Sequence, residues 1–114
     1  MQVIYYLSPA GKNPVKEFIL SLQVREQAKV RRVFSLAEQY GLEWIYPYVK
    51  KLTGTPLWEV RIVGNRQIRV LFMAAGAQQV IVLHGFVKKT QKTPPREIAV
   101  ALQRLKDWRS SYRA

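Results

Sequence analysis

The hydrophobic positions of the chain follow two different periods, which separate predicted strands from predicted helices. Residues 2–7 ("QVIYYL") are rich in β-branched and aromatic side chains and predict a short first strand. Between residues 57 and 87, apolar runs are separated by Gly64-Asn65 and by Gly76-Ala77-Gln78, which is typical of an antiparallel meander. The runs predict three more strands, at residues 57–63, 66–74 and 79–87.

Apolar residues recur at helical spacing in three further segments. Asn13 followed by Pro14 is a favourable helix start, and the spacing after it predicts a first helix at residues 14–22. A second helix is predicted at residues 25–41 and makes a helical hairpin with the first. A double proline opens a C-terminal helix predicted at residues 94–110.

The order of these elements predicts an α+β fold. We expect a small twisted antiparallel sheet with an N-terminal helical hairpin and a C-terminal helix. Residues 42–56 are aromatic, contain two prolines and show no sustained period, so they predict a connecting loop. With 114 residues and 48% hydrophobic content, the chain is long enough for one core, and we expect a single domain over residues 1–114.

The composition excludes several classes of protein. The chain has no cysteine, which excludes disulfides and thiolate chemistry and fits a reducing compartment. Its first residues lack the pattern of a secretory signal, and no window approaches the roughly 18 apolar residues of a membrane span. We therefore expect a cytoplasmic protein with no membrane partner.

The net charge of +12 points to a polyanionic partner. Residues 1–57 carry eight basic and four acidic side chains, whereas residues 58–114 carry eleven and three. The second half of the chain is therefore the expected binding region, and nucleic acid is the first partner to consider. A generally basic protein with solvated lysines is the alternative.

Side chains alternate between the two faces of a strand, and this places basic residues together. Arg61 and Glu59 share one face of the second predicted strand, and Arg69 lies on the matching face of the third. Two guanidinium groups on one open sheet face repel each other unless an anion or a carboxylate lies between them. The pattern favours an anion site on this face, and a surface ladder of Arg61, Glu59 and Arg69 is the structural alternative.

The last predicted strand carries more basic residues to the edge of this face. His84 and Phe86 alternate on one side of the strand, and a basic segment follows that includes Lys88, Lys89, Gln91 and Lys92. Arginines and lysines at such a face suit phosphate oxygens, and an aromatic ring can stack on an unpaired base. RNA is the ligand that this pattern favours.

Several long motifs resemble a known family of bacterial toxins. They are "YYLSPAGKNPVKEFI", "QAKVRRVF", "KKLTGTPLWEVRI", "IRVLF" and above all "IVLHGFVKKTQKTPPREI". Together they cover nearly the whole chain, and they resemble the phage-derived branch of the RelE/HigB toxins within the RelE/ParE superfamily. The resemblance implies a RelE-like fold in which the helices pack on one face of the sheet.

The resemblance also implies an activity and partners. Such proteins are typically the toxin of a toxin–antitoxin pair, and many cut messenger RNA in the ribosomal A site. The expected partners are the ribosome with its mRNA and a cognate antitoxin, usually a small helix-turn-helix DNA-binding protein. By motif, Arg61 and Arg69 match the basic strand positions of the family, and Lys88, Lys89 and Lys92 match its "KKTQKTP" segment.

An RNase of this kind needs no metal ion or other cofactor, and the chain has no evident metal ligand set. Arg61 and Arg69 are the candidates for stabilising the phosphorane, because fixed positive charge favours a developing oxyanion. The candidates for proton transfer are His84, the lysines Lys88 and Lys89, and less favourably Glu59. The expected RNA-binding residues are Lys50, Lys51, Arg66, Phe86, Gln91 and Lys92.

Two other functions are compatible with the same sequence. ParE-like relatives in the superfamily inhibit DNA gyrase without cleaving nucleic acid, and the chain is also compatible with a phage RNA-binding module that has no catalytic activity. A gyrase inhibitor needs no phosphate-binding face, so the basic strand face and the "KKTQKTP" segment favour RNA cleavage.

Overall fold

The structure is a computed structural model that describes residues 1–76 and 78–113, and the side chains of all of these except the last two. Its helices are α1 (Pro14–Leu20), α2 (Val24–Tyr40) and α3 (Pro95–Arg113). Its strands are β1 (Gln2–Tyr5), β2 (Val49–Lys51), β3 (Trp58–Ile62), β4 (Gln67–Ala75) and β5 (Gln79–Lys88). The predicted α+β fold is confirmed.

The strands form one sheet in the order β1-β5-β4-β3-β2. The predicted meander of β3, β4 and β5 is antiparallel, whereas β1 pairs in parallel with β5 at the edge. Gly76, in the turn between β4 and β5, has a φ of +71°, which a residue without a Cβ adopts at low cost. Its predicted turn neighbour Ala77 lies outside the described residues.

The loop predicted at residues 42–56 is partly ordered into regular structure. Leu42–Tyr48 form a 3-10 helix, and the following Val49–Lys51 form the edge strand β2. Ile45 is fully buried, so an apolar anchor fixes the 3-10 helix against the core. Neither element could be predicted from hydrophobic periodicity, because a short 3-10 helix and a three-residue strand contain too few positions to show a period.

Helices cover both faces of the sheet. The helices α1 and α2 pack on one face through a cluster that includes Val15, Val30, Phe34 and Phe72. Helix α3 packs on the other face, where Leu105 belongs to a separate cluster built on the second set of alternating strand residues. The expectation that all helices lie on one face is therefore wrong for α3, whose apolar stripe needs its own sheet surface.

The face under α3 also carries the predicted functional residues Arg61, Arg69 and Phe86. Arg61 lies opposite Arg69 in the β3–β4 register, and Arg69 lies opposite Phe86 in the β4–β5 register. A register shift between Leu71 and Phe72 interrupts the β4–β5 ladder, so that Leu71 pairs with His84 whereas Phe72 pairs with Val82. Helix α3 covers only part of this face, and the end of the sheet where β5 stops is left open.

Candidate functional site

A basic cleft opens where β3 and β5 end and β4 begins. Its volume is about 770 Å³. Its basic lining residues are Arg61, Arg66, Arg69, Lys88 and Lys89. Asn65, Gln67, Val87, Thr90 and Gln91 complete the lining. We call this site the basic cleft; it unites five basic residues that the sequence analysis singled out.

One buried carboxylate lies beneath the basic cleft. Glu59 is 1% exposed, and its Oε1 lies 2.8 Å from Arg69 Nε and 3.9 Å from Lys88 Nζ. Its other oxygen, Oε2, accepts a short hydrogen bond from the hydroxyl of Thr93. Glu59 is therefore the counter-ion of two cations and also ties the segment before α3 to the sheet.

Arg69 is a buried arginine whose two terminal nitrogens are both hydrogen-bonded. Its guanidinium donates to the backbone oxygen of Ile68 at 3.1 Å and to Gln67 Oε1 at 2.9 Å. Its Nε and Glu59 Oε1 are close, but neither atom makes a hydrogen bond of normal geometry, so their contact is Coulombic. The pair of Glu59 and Arg69 realises part of the predicted charge ladder, but as a buried pair and not on the surface.

Arg61 differs from Arg69 in having no counter-ion. It is exposed, and among the described residues no carboxylate forms an ion pair with it. Since Glu59 pairs with Arg69 and Lys88, the guanidinium of Arg61 is available to an anionic ligand. It is the unpaired arginine of the basic cleft.

Lys88 lies at the end of β5 with its side chain only 9% exposed. Burial lowers the pKa of its amine below the ordinary 10.5, and Arg61, Arg69 and Lys50 lower the pKa further. Glu59 acts in the opposite direction but does not cancel the loss of hydration. Lys88 therefore gives up its proton more readily than a solvated lysine does.

Arg66 lines the basic cleft but is committed to a structural contact. Its guanidinium makes a two-point contact with Glu26 of α2, at 2.6 and 3.0 Å. This arginine holds the pKa of the Glu26 carboxyl below its usual value. Arg66 thus fastens the start of β4 to α2, and it faces the basic cleft with part of its charge already balanced.

The remaining lysines predicted to bind RNA lie in different places. Lys50 is exposed and pairs in register with Glu59, which places it on the same sheet face as the basic cleft. Lys51 pairs with Trp58, and its ammonium lies 5.6 Å from the centre of that ring and donates to Thr55 O. Lys51 is therefore turned toward the opposite face. Lys92 is exposed in the segment that leads to α3.

His84 does not line the basic cleft, because α3 holds it. Its Nε2 lies 3.0 Å from Glu97 Oε1, and Arg104 donates to its Nδ1 at 3.2 Å. An arginine can only donate, so Nδ1 is the acceptor and Nε2–H donates to Glu97. Burial lowers the pKa of His84, which keeps the imidazole neutral. These hydrogen bonds give His84 a structural role, which accounts for its position without a catalytic one.

Phe86 is also covered. It is 5% exposed, and its ring stacks on His84 with centroids 5.6 Å apart. The ring is therefore part of the core under α3 and is not presented to a base in this structure.

Sequence reasoning missed the groups that organise the basic cleft. Thr93 and Gln67 orient Glu59 and Arg69, and both stand in segments that read as ordinary polar loop or strand edge. The contact of Arg66 with Glu26 spans forty positions, so no local pattern could reveal it. A threonine directly before the double proline was the available signal for Thr93.

Comparison with known proteins supports the resemblance. A search of curated proteins finds no match. A family model described as "Phage derived protein Gp49-like (DUF891)" matches residues 17–106, which include all the residues of the basic cleft. This family is RelE/HigB-like and is consistent with the toxin of a toxin–antitoxin pair. Because the match spans most of the chain, the protein belongs to the phage-derived Gp49-like family.

Proposed function

We propose that this protein is the toxin of a toxin–antitoxin pair and that it cleaves messenger RNA in the ribosomal A site without a metal ion. A cognate antitoxin, a helix-turn-helix DNA-binding protein, holds it inactive in the cytoplasm. One observation carries the proposal: the basic cleft places Lys88, whose amine has a lowered pKa, beside the unpaired Arg61. Such a pair offers one phosphodiester a base and a cation that stabilises developing negative charge.

The proposed reaction is an internal transfer of the phosphodiester. The neutral amine of Lys88 takes the proton of a ribose 2′-OH, and the 2′ oxygen forms a bond to the adjacent phosphorus. Arg61 stabilises the negative charge of the pentacoordinate phosphorane, because its guanidinium lines the basic cleft and has no counter-ion among the described residues. The bond from phosphorus to the 5′ oxygen then breaks. Lys89, exposed at the same rim, supplies the proton to that leaving oxygen.

In this scheme Arg69 and Glu59 support the reaction without transferring a proton. Because Arg69 is paired and nearly buried, it adds positive potential to the basic cleft without binding the phosphate as freely as Arg61 does. Glu59 fixes Arg69 and Lys88 relative to each other. His84 has no proton-transfer role, since both of its nitrogens are occupied by residues of α3.

Cleavage of a defined mRNA on programmed ribosomes tests the proposal. We expect Arg61→Ala to slow cleavage by about 100-fold or more, the usual effect of removing one donor to a developing oxyanion. Arg31→Ala is the matched control, because Arg31 is also an exposed arginine but lies outside the basic cleft and donates to Gln27 on its own helix. We expect this control to cleave within about twofold of the wild type.

Two results would contradict the proposal. Cleavage by Arg61→Ala at the wild-type rate would show that the basic cleft does not perform the reaction. Intact mRNA together with inhibition of DNA supercoiling by gyrase would favour the ParE-like alternative, and RNA binding without cleavage would favour the non-catalytic module.

A further inference from the structure

A second cavity adjoins the basic cleft on the other side of Arg61. Its volume is about 370 Å³, within the range of small-ligand sites. Its basic lining residues are Lys29 and Arg32 of α2 together with Arg61. Tyr48, at the end of the 3-10 helix, forms another part of its wall. We call this cavity the side pocket.

The side pocket combines positively charged side chains with an apolar floor. Its three basic residues are accompanied by no carboxylate in the lining. Lys29 Nζ donates to the backbone oxygen of Val63 at 2.8 Å, which fixes the ammonium at the end of β3 and leaves two of its protons free. Val33 and Ile62 are 6% and 4% exposed and form the apolar floor.

Helical spacing explains how these groups meet. Lys29, Arg32, Val33 and Leu36 follow one another at intervals of three, one and three residues, so they form one stripe of α2. The stripe faces the end of β3, and the exposed ring of Tyr48 stands beside it. Arg32 makes no ion pair within the described part of the chain, so its guanidinium is available to a ligand.

We propose that the side pocket binds a nucleotide of the RNA substrate outside the cleavage position. A phosphate lies between Arg32 and Lys29, and the base packs on Tyr48 and the apolar floor. Arg61 borders both cavities, so one RNA strand passes from the basic cleft into the side pocket without leaving positive surface. This inference rests on the proposed function, because it treats the side pocket as an extension of the RNA-binding cleft.

Oligonucleotides of two lengths distinguish the contributions of the two cavities to RNA binding. Fluorescence anisotropy measures the affinity of labelled oligonucleotides of three and nine residues, with 2′-O-methyl riboses so that cleavage cannot occur. We expect Arg32→Ala to weaken binding of the nine-residue oligonucleotide about fivefold and to leave the three-residue one unchanged. The slope of log K against log salt should fall by about 0.7 for the longer RNA, the value for one lost phosphate contact on a single strand.

Substitutions of Tyr48 test the stacking contact. Tyr48→Ala should weaken binding of the longer RNA at least fivefold, whereas Tyr48→Phe keeps the ring and should bind like the wild type. Tyr40→Ala removes an exposed ring outside the side pocket and is the matched control, as Arg31→Ala is for Arg32. All four positions are exposed, so the variants should fold like the wild type.

The outcomes distinguish this inference from the function it extends. Lys89→Ala, which alters the basic cleft alone, should weaken binding of both RNAs. If it does so while Arg32→Ala and Tyr48→Ala match their controls, the side pocket is refuted and the proposed function stands. If Lys89→Ala changes nothing, binding at the basic cleft is refuted. Absence of RNA binding at low salt would refute both.

Discussion

Removal of the carboxylate of Glu59 tests whether this residue is the counter-ion of the basic cleft. The variant Glu59→Gln keeps the size of the side chain and an oxygen for the hydroxyl of Thr93, so it removes mainly the charge. The side chains of Arg69 and Lys88 are 8% and 9% exposed, and they would lose their shared anion without gaining water in exchange. Breaking a buried ion pair in this way costs about 3–5 kcal/mol.

A loss of this size is large enough to be measured as a change in Tm. With an unfolding entropy of about 2.1 cal/mol/K per residue, 114 residues give roughly 0.24 kcal/mol/K. A loss of about 3–5 kcal/mol therefore lowers Tm by roughly 10–20 °C. Differential scanning calorimetry of the wild type and Glu59→Gln measures this shift, and urea unfolding provides an independent free energy.

A double variant isolates the pair. Arg69→Met alone leaves Lys88 as the one cationic partner of Glu59 among the described residues, but Glu59→Gln combined with Arg69→Met removes both charges of the closest contact. We expect the double variant to be more stable than the sum of the single losses by about 1 kcal/mol or more. A decrease in Tm of less than about 3 °C for Glu59→Gln, or strict additivity in the double variant, would refute the counter-ion role.

Three further predictions concern Lys88, His84 and Gly85 of β5. Lys88→Met should abolish cleavage and raise Tm, because it removes a desolvated cation. The rate of cleavage by the wild type should rise with pH as Lys88 loses its proton, with an apparent pKa below 10.5. A fall in Tm or a rate independent of pH would contradict this. His84→Ala should cost about 1–3 kcal/mol, because it removes the hydrogen-bond partner of Glu97 and one acceptor of Arg104, but it should preserve cleavage by the folded fraction. A rate loss above tenfold in folded protein would restore His84 as a catalytic candidate. Gly85→Ala should cost about 1–3 kcal/mol in urea unfolding, because its Cβ would overlap the ring of Phe18, and unchanged stability would contradict that packing.

The linkage between pH and stability follows from the same groups. His84 has a folded-state pKa below its ordinary 6.5, so the unfolded chain binds its proton first as the pH falls. The stabilisation is complete above pH 6.5 and is lost as the pH falls toward the folded-state pKa. Lys88 also has a lowered pKa, so the unfolded state holds more protons here too, and stability rises with pH as 10.5 is approached from below.

Local patterns were sufficient to predict most helices and strands. The N-cap at Asn13 was visible in the sequence, and its side chain does accept from the backbone of Lys16. The meander could be predicted because strand alternation and turn residues agreed over thirty positions. The side of the sheet that α3 covers could not be predicted, because the apolar residues of β4 and β5 are continuous enough to bury both faces.

The basic cleft was only partly predictable. Strand alternation correctly placed Arg61 and Arg69 on the same face of neighbouring strands, but it could not show that Glu59 would pair with one arginine and leave the other free. The burial of Phe86 depends on α3, and the ion pair of Arg66 depends on Glu26, which lies in a helix far away in the sequence. These differences arise from contacts between segments far apart in the chain, which a pattern within one strand cannot contain.

The most direct test of the account is to map the 5′ ends of cellular mRNA by primer extension after brief induction of the protein. The structure favours Arg61→Ala as the comparison, because Arg69→Ala would also leave Glu59 without its closest counter-ion and destabilise the fold. We expect new ends within coding regions, in step with the reading frame, for the wild type and for Arg31→Ala, and their absence for a folded Arg61→Ala. Intact mRNA during growth arrest by the wild type, or the same cuts with Arg61→Ala, would contradict RNA cleavage by the basic cleft.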